Sequence, residues 1–198
     1  HQSDRPRPDM PQYILGHILY AEMPVYYFGD HRYYEEPVQD FQPRADTEDK
    51  LIFARGERFC RIDQFIKNTY EVLSPLCRVT ALMEMTDHQF LNGERTVEWT
   101  RFGRDVDIVA NFGERDFDWR GTLIPKNGFA ISSPSLVAFC ARRHDGVEYS
   151  EPTLFVIWAR DGEPIATSED VRIYRGFGDT TVRFRGQTNQ VDHVEHVR

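Results

Sequence analysis

The sequence has few cysteines, no excess of positive charge and no long hydrophobic run. Its three cysteines, Cys60, Cys77 and Cys140, show no CxxC spacing, which favours thiols over a disulfide framework, with a single disulfide left open. The formal net charge of −8 argues against a nucleic-acid-binding protein. No apolar run could span a membrane, and the first residues carry no signal peptide or other targeting segment. We therefore expect neither nucleic acid nor membrane as a partner, and no compartment is assigned.

The motifs of several large enzyme classes are also missing. The chain has no glycine-rich phosphate loop, no nucleophile elbow and no HExxH sequence. His193 and His196 lie three residues apart, but the surrounding polar end of the chain does not favour a metal site. We expect no metal and no cofactor.

What the sequence does have is alternation of apolar and polar residues after Met83. The segments 96–102 and 106–112 alternate, and Asn92-Gly93 and Asp145-Gly146 are typical hairpin turns. This pattern predicts an antiparallel β-sandwich over residues 83–186, with one wet face and one buried face. Residues 187–198 are expected to form a frayed polar tail. The side chains expected to point inward are Val97, Trp99, Ile108, Ala110, Phe112, Phe155 and Ile157.

The first 82 residues have a different pattern. Pro24 to Phe28 form a short apolar run without alternation, typical of a strand buried on both faces and ended by Gly29-Asp30. The preceding stretch, 13–20, fits a helix or a second strand. Apolar residues at helical spacing then predict a helix from Phe65 to Leu82, with Ser74-Pro75 ending one helical segment and starting the next. We expect 13–82 to expose a large apolar surface.

Three segments together resemble the C-terminal part of certain glycoside hydrolases, those related to endo-α-N-acetylgalactosaminidases and α-N-acetylgalactosaminidases. They are the aromatic strand that ends in Gly29-Asp30-His31, the helix through Pro75, and Val109-Ala110-Asn111-Phe112-Gly113 followed by 123–129. The resemblance covers roughly 13–185. In that family a (β/α)8 barrel precedes a β-sandwich. The resemblance therefore implies a mixed fold, with the end of an α/β barrel in 1–82 and the sandwich in 83–186.

The resemblance also implies where the chemistry lies. Such enzymes use two carboxylates from earlier barrel strands, which would precede His1, so no residue of this chain is assigned as catalytic. The implied partners are a carbohydrate substrate and the upstream barrel domain of the same parent protein. Because the chain starts with His1 rather than Met, we expect a processed or excised segment.

Four residues are candidates for contacts with a sugar substrate. Asp30 follows the carboxyl end of the expected strand, where barrel enzymes build their sites, with Tyr27 and His31 beside it. Glu22 lies at the other end of the same strand. The alternative is that Gly29-Asp30 only turns the chain and Asp30 caps the next segment.

Other residues give weaker signals. Asp87-His88 can be read as an acid–base pair or as polar positions at a junction. Trp119 is the tryptophan most expected to be exposed, whereas Trp99 and Trp158 are expected in the core.

The sequence leaves three functions open. The favoured one is the C-terminal region of a glycoside hydrolase; the others are a non-catalytic β-sandwich that binds carbohydrate or supports a neighbour, and a complete small hydrolase that uses Glu22, Asp30 and Asp87.

Overall fold

The computed structural model describes residues 10–24 and 61–197 and confirms the antiparallel β-domain. Two helices precede it, α1 (Met10–Leu19) and α2 (Arg61–Thr80), so the stretch that fitted helix or strand is a helix. The strands are β1 (Met85–Phe90), β2 (Val97–Phe102), β3 (Val106–Asn111), β4 (Phe117–Trp119), β5 (Thr122–Ile124), β6 (Phe129–Ser132), β7 (Leu136–His144), β8 (Val147–Ala159), β9 (Val171–Phe177), β10 (Thr181–Phe184), β11 (Gln187–Gln190) and β12 (Val194–Val197).

The strands form one large sheet and one separate hairpin, with every pairing antiparallel. The order across the large sheet is β1-β2-β3-β6-β7-β8-β9-β12, and β5 joins it through β7 while pairing with β4. Strands β10 and β11 make the second, two-stranded sheet. The expected hairpin across Asn92-Gly93 is confirmed, since β1 pairs with β2. The turn at Asp145-Gly146 likewise joins the long strands β7 and β8, and both of its residues have positive φ.

Both helices pack on one face of the large sheet. We call this the helix-side core: α1 contributes Ile14, Leu15, Ile18 and Leu19, all fully buried, and the sheet contributes residues such as Ile108 and Phe129. The sheet also satisfies the end of α1, because the hydroxyl of Thr100 donates to the carbonyl of Leu19 at 2.7 Å. Residues on both sides of position 82 thus share a single apolar core.

The opposite face of the sheet is also covered. In this hairpin-side core, β10, Val191 just after β11, and the β4–β5 hairpin pack against the sheet, and its largest fully buried side chains are Phe139, Phe155 and Ile124. The expectation of one wet face is therefore wrong for the central strands, and all six residues of β3 are buried.

The residues expected to point inward are buried, or half-buried in the case of Phe112, but they are divided between the two faces of the sheet. Those in the hairpin-side core are Val97, Trp99, Phe155 and Ile157, and those in the helix-side core are Ile108 and Ala110.

The helix α2 differs from its expected form in two ways. It runs unbroken through Pro75 rather than ending at Ser74. Of the face expected to be apolar and exposed, Phe65 and Leu73 are buried against the sheet, Ile66 is half-buried and Tyr70 is largely exposed. These four residues of α2 therefore do not form the large apolar surface that was expected. The expected strand after α1 lies outside the described residues except for Pro24.

The C-terminal end is not a frayed tail. Residues 187–190 form β11, and β12 pairs with β9, with Glu195 opposite Ile173 and His196 opposite Arg172. These residues are polar and carry no strong apolar alternation, so the side-chain pattern gave no strand signal. Their order comes instead from main-chain hydrogen bonds to a neighbour that is already in place.

Candidate functional site

Of the four candidate sugar contacts, the structure describes Glu22; Asp30, Tyr27 and His31 lie outside the described residues. Glu22 follows the C-terminal end of α1, and its main-chain N–H donates to the carbonyl of His17 at 2.8 Å. Its carboxylate is 68% exposed and lies 3.9 Å from Nδ1 of His17. Glu22 is therefore accessible to a ligand.

A histidine and a cysteine lie near Glu22, but neither is prepared for catalysis. Burial lowers the pKa of His17, with Glu22 acting in the opposite direction, so the imidazole is neutral near pH 7. The Cys77 thiol donates to the carbonyl of Ala21 at 3.3 Å, and burial followed by the charge of Glu22 raises its pKa. A thiol whose pKa is raised is a poor nucleophile.

Asp107 is one of two buried carboxylates in the described part of the chain, and it is held by cations. Arg101 donates to it from Nε at 2.8 Å and Nη2 at 3.2 Å, and Arg120 donates at 3.0 Å. Trp99 adds a hydrogen bond from Nε1 at 3.1 Å. Burial alone would raise the pKa of Asp107, but the hydrogen bonds from Arg101 and Arg120 outweigh it and hold that pKa below its usual value. Asp107 is thus an ionised structural group rather than a proton donor.

Glu71 is the second buried carboxylate, and it joins α2 to β9. Arg172 donates to it through both terminal nitrogens of its guanidinium, with Nη2 2.8 Å from Oε1, and Lys67 adds a further ion pair. Beside this pair, the hydroxyl of Tyr174 and the side-chain amide of Gln64 both donate to Oδ1 of Asn68. These polar contacts fix how the helix lies on the sheet.

Asn111 organises the turn in the segment that carries the family resemblance. Its side-chain amide donates to the carbonyls of Arg115 at 2.8 Å and Ile124 at 3.0 Å, and its Oδ1 accepts the N–H of Gly113 at 2.9 Å. A Cβ on Gly113 would lie 2.6 Å from the Thr96 hydroxyl, so only glycine permits this approach of the two loops. The motif is therefore explained by the folding of the turn.

Next to this turn, the loops 92–96 and 113–117 enclose an open groove of about 390 Å³. Its polar lining includes Glu94, Glu114, Arg115 and Asp116, and Phe117 supplies apolar surface. Lys126 lies 2.6 Å from Glu114 and Arg142 lies 3.5 Å from Asp116, so these two carboxylates are balanced by cations. The groove combines acceptors, a guanidinium and an aromatic ring, a lining that suits a polar ligand.

The other candidates do not assemble into a site. Asp87 and His88 are adjacent in β1 and point to opposite faces; His88 Nε2 lies 2.9 Å from Glu98, and Asp87 accepts a hydrogen bond from Gln89 at 3.0 Å.

The three tryptophans form no common platform for a sugar. Trp99 and Trp119 belong to the hairpin-side core, with Trp119 half-buried beneath Arg120, whereas Trp158 packs against the helix-side core.

His144 is an inward-facing histidine at the end of β7. Its ring stacks on Phe139 with centroids 4.0 Å apart, and its Nδ1 lies 2.9 Å from the hydroxyl of Thr122. Burial lowers its pKa to about 4, with Asp145 acting weakly in the opposite direction. The folded protein therefore keeps this imidazole neutral down to mildly acidic pH.

We expect this histidine to make the fold less stable below pH 6.5. The unfolded chain binds a proton at the ordinary pKa of 6.5 and the folded chain only near 4, so stability falls as the pH drops between these values. For a partly buried group the loss should be about 2 kcal/mol. Urea unfolding at pH 7, 5.5 and 4 should show it, and His144→Gln should flatten the profile. Parallel profiles for the two proteins would contradict the assignment.

Two further features of the described residues bear on function. No three of their histidine, cysteine, aspartate and glutamate side chains are arranged to hold a metal ion. Neither α1 nor α2 is long and apolar enough to cross a membrane.

Sequence reasoning missed the groove and the ion pairs of the two buried carboxylates. Asp107 occupies a polar position in an alternating strand, and Glu71 follows Lys67 by four residues, a common surface pattern on helices. Their partners are set by the fold. The turn residues near positions 92 and 113 can be recognised in the sequence. The sequence does not show that these two turns lie next to each other in the fold.

No model of a protein family matches this chain, and no curated protein matches it.

Proposed function

We propose that this chain is the C-terminal region of a glycoside hydrolase, in which the β-domain is non-catalytic and the two catalytic carboxylates lie upstream of the chain. The proposal rests on the resemblance of the expected strand ending at Asp30, the helix through Pro75 and segment 109–129 to such enzymes. The state of the buried carboxylates supports placing the catalytic pair outside the described residues. Glycoside hydrolysis needs a carboxylic acid whose pKa is raised so that it can protonate the leaving group. Asp107 has a lowered pKa and does not meet this requirement. Glu71 is occupied by its contacts with Arg172 and Lys67, which join α2 to β9.

The Asn111 turn is a second support. It is part of the segment on which the family resemblance was based, and its hydrogen bonds connect β3, β5 and the loop between β3 and β4. Gly128 belongs to the same segment, and a Cβ there would lie 2.6 Å from the carbonyl of Cys140. These residues stabilise the packing of the sheet, which is the role expected of residues in a supporting domain.

Within this proposal, Asp30, Tyr27, His31 and Glu22 contact the carbohydrate substrate. Glu22 is accessible, and the His17 ring, whose Nδ1 lies 3.9 Å from its carboxylate, is neutral near pH 7. A carboxylate in this state accepts hydrogen bonds from sugar hydroxyls. The upstream barrel domain of the same protein would bring the catalytic carboxylates to the same substrate.

The second candidate function is a non-catalytic module that binds carbohydrate or supports a neighbour. The groove beside loops 92–96 and 113–117 favours it, because Glu94 and Arg115 project polar groups next to Phe117. Mixed polar and aromatic linings of this kind hold hydroxyl-rich ligands.

An activity assay separates these functions. The 198-residue chain, incubated with a panel of chromogenic α- and β-glycosides, should give no turnover, and the natural protein that contains it should hydrolyse at least one of them. In that protein, Asp30→Ala should lower kcat/KM by roughly ten- to a hundred-fold, as the loss of a charged hydrogen bond does. Asp105→Ala, a change in an exposed turn, is the control and should leave kcat/KM unchanged.

Each alternative has its own outcome. Turnover by the chain itself, lost in Glu22→Gln or Asp30→Asn, would show a complete small hydrolase. A natural protein without glycosidase activity would remove the proposal. If the chain is also retarded in gels containing polysaccharide, and Glu94→Gln and Arg115→Ala abolish the retardation, the binding module is supported.

A further inference from the structure

Both loops that enclose the groove are fixed by hydrogen bonds within the chain. In the first loop, Oδ1 of Asn92 accepts the N–H groups of Thr96 at 2.9 Å and Val97 at 3.1 Å. The hydrogen bonds of Asn111 fix the second loop. The two loops are also joined directly, because the N–H of Phe112 donates to the carbonyl of Thr96 at 2.8 Å. A ligand therefore meets walls that are already ordered, and its binding costs little conformational freedom.

The charges around the groove are balanced. Three carboxylates and three cations belong to its lining or to ion pairs with that lining: Glu94, Glu114, Asp116, Arg115, Lys126 and Arg142. Two of the carboxylates are neutralised by Lys126 and Arg142. The other two charged groups, Glu94 and Arg115, form no ion pair with a residue that the structure describes. A groove without net charge attracts neither anions nor cations.

The groups left available in the groove are of the kinds that hold a sugar ring. A hydroxyl group donates to a carboxylate such as Glu94 and accepts from a guanidinium such as Arg115. Phe117 is partly buried in the hairpin-side core, and it also lines the groove, where it offers apolar surface. A Cβ on Gly93 would meet no atom within 4 Å, so the first wall leaves room for a ligand that extends beyond one ring.

We propose that this groove binds an uncharged oligosaccharide. The proposal rests on the second candidate function, carbohydrate binding by the β-domain, and adds the class of carbohydrate and its contacts. Glu94 accepts hydrogen bonds from the sugar hydroxyls, Arg115 donates to them, and Phe117 packs against the apolar face of a ring. A polymer of uronic acids would bring carboxylates next to Glu94, and a polymer of amino sugars would bring ammonium groups next to Arg115, so both bind less well.

A chemical-shift titration of the isotope-labelled 198-residue chain tests the proposal. The neutral probes are hexasaccharides of the cello, malto, xylo and manno series; hexagalacturonate is the anionic probe and a glucosamine hexamer the cationic one. At least one neutral probe should shift the amides of 92–96 and 113–117, with a Kd roughly tenfold or more below those of the charged probes. The proposal is overturned if no neutral probe shifts these amides, or if a charged probe binds more tightly than every neutral one.

Matched arginine variants locate the contact. Arg115→Ala should weaken binding of the neutral probe by roughly ten- to a hundred-fold, the effect of losing a charged hydrogen bond. Arg104→Ala is the control and should leave the Kd unchanged, because Arg104 lies in the turn at the opposite end of β2 and β3 from the groove. Glu94→Gln leaves the groove with a net positive charge, so it should weaken the neutral probe and improve the binding of hexagalacturonate. A Kd that neither Arg115→Ala nor Glu94→Gln changes would refute these contacts.

This test is independent of hydrolysis, so its failure is distinguishable from that of the glycosidase proposal. Groove binding by the chain supports the site even if the natural protein hydrolyses no glycoside. A natural protein that hydrolyses glycosides, but whose groove binds no neutral probe, would keep the glycosidase proposal and lose this site.

Discussion

Replacing Glu71 by alanine is expected to lower the free energy of unfolding by about 3–5 kcal/mol, the usual effect of leaving one partner of a buried ion pair alone. The side chain of Glu71 is 7% exposed and that of Arg172 is 16% exposed, so water cannot replace the lost carboxylate around the guanidinium. Lys67 is more exposed and can turn to solvent. Urea unfolding followed by circular dichroism would measure the difference.

A surface ion pair provides the matched control. Glu114 lies 2.6 Å from Lys126, but the Glu114 side chain is 79% exposed, so Glu114→Ala should cost less than about 1 kcal/mol. Glu71→Gln, which keeps the shape and loses the charge, should fall between the two. If Glu71→Ala costs no more than Glu114→Ala, the contact between α2 and β9 is not a buried ion pair in solution.

This contact also shows where sequence reasoning ends. Glu71 and Arg172 are 101 positions apart. A glutamate four residues after a lysine on a helix, and an arginine at a polar position of a strand, both look solvent-facing by local pattern. Their burial depends on α2 lying across β9, and nothing in either segment specifies that placement.

Local chemistry, by contrast, predicted the hairpins. Asn92 accepts the N–H groups of Thr96 and Val97, and Asp145 and Gly146 both have positive φ, as hairpin turns of this kind require. The turn residues and the alternation on either side are close in sequence, so a short window contains all the information. The strand borders followed within a few residues.

The covering of the sheet could not be read from the same windows. Alternation shows that a strand has two distinct faces but does not show what covers each of them. The helix α1 lies almost a hundred residues before β3 and still buries one face of it. Strand β10 and Val191 pack on the other face of the sheet from the C-terminal side. The candidate site had the same difficulty, because the groove joins two loops, 92–96 and 113–117, that only the pairing of β2 with β3 brings together.

Asn111→Ala is the other substitution with a large expected effect. The substitution removes the two hydrogen bonds that the side-chain amide donates and the one that its Oδ1 accepts. The carbonyl of Ile124 is then left without its side-chain donor inside the protein. Leaving buried polar groups unsatisfied costs about 1–3 kcal/mol each, so we expect a loss of about 3 kcal/mol in stability. Asn189→Ala is the control, because the Asn189 side chain makes one exposed hydrogen bond, to the carbonyl of Gln187, and its loss should change stability by less than about 0.5 kcal/mol.

The same variant separates a supporting turn from a ligand contact. If Asn111 acts only through the fold, the natural protein carrying Asn111→Ala should melt at a lower temperature while the folded fraction keeps its KM for any glycoside it hydrolyses. A raised KM at unchanged melting temperature would instead place Asn111 in contact with substrate. Because its three hydrogen-bond partners, Arg115, Ile124 and Gly113, are all main-chain groups of the turn, we expect the first result.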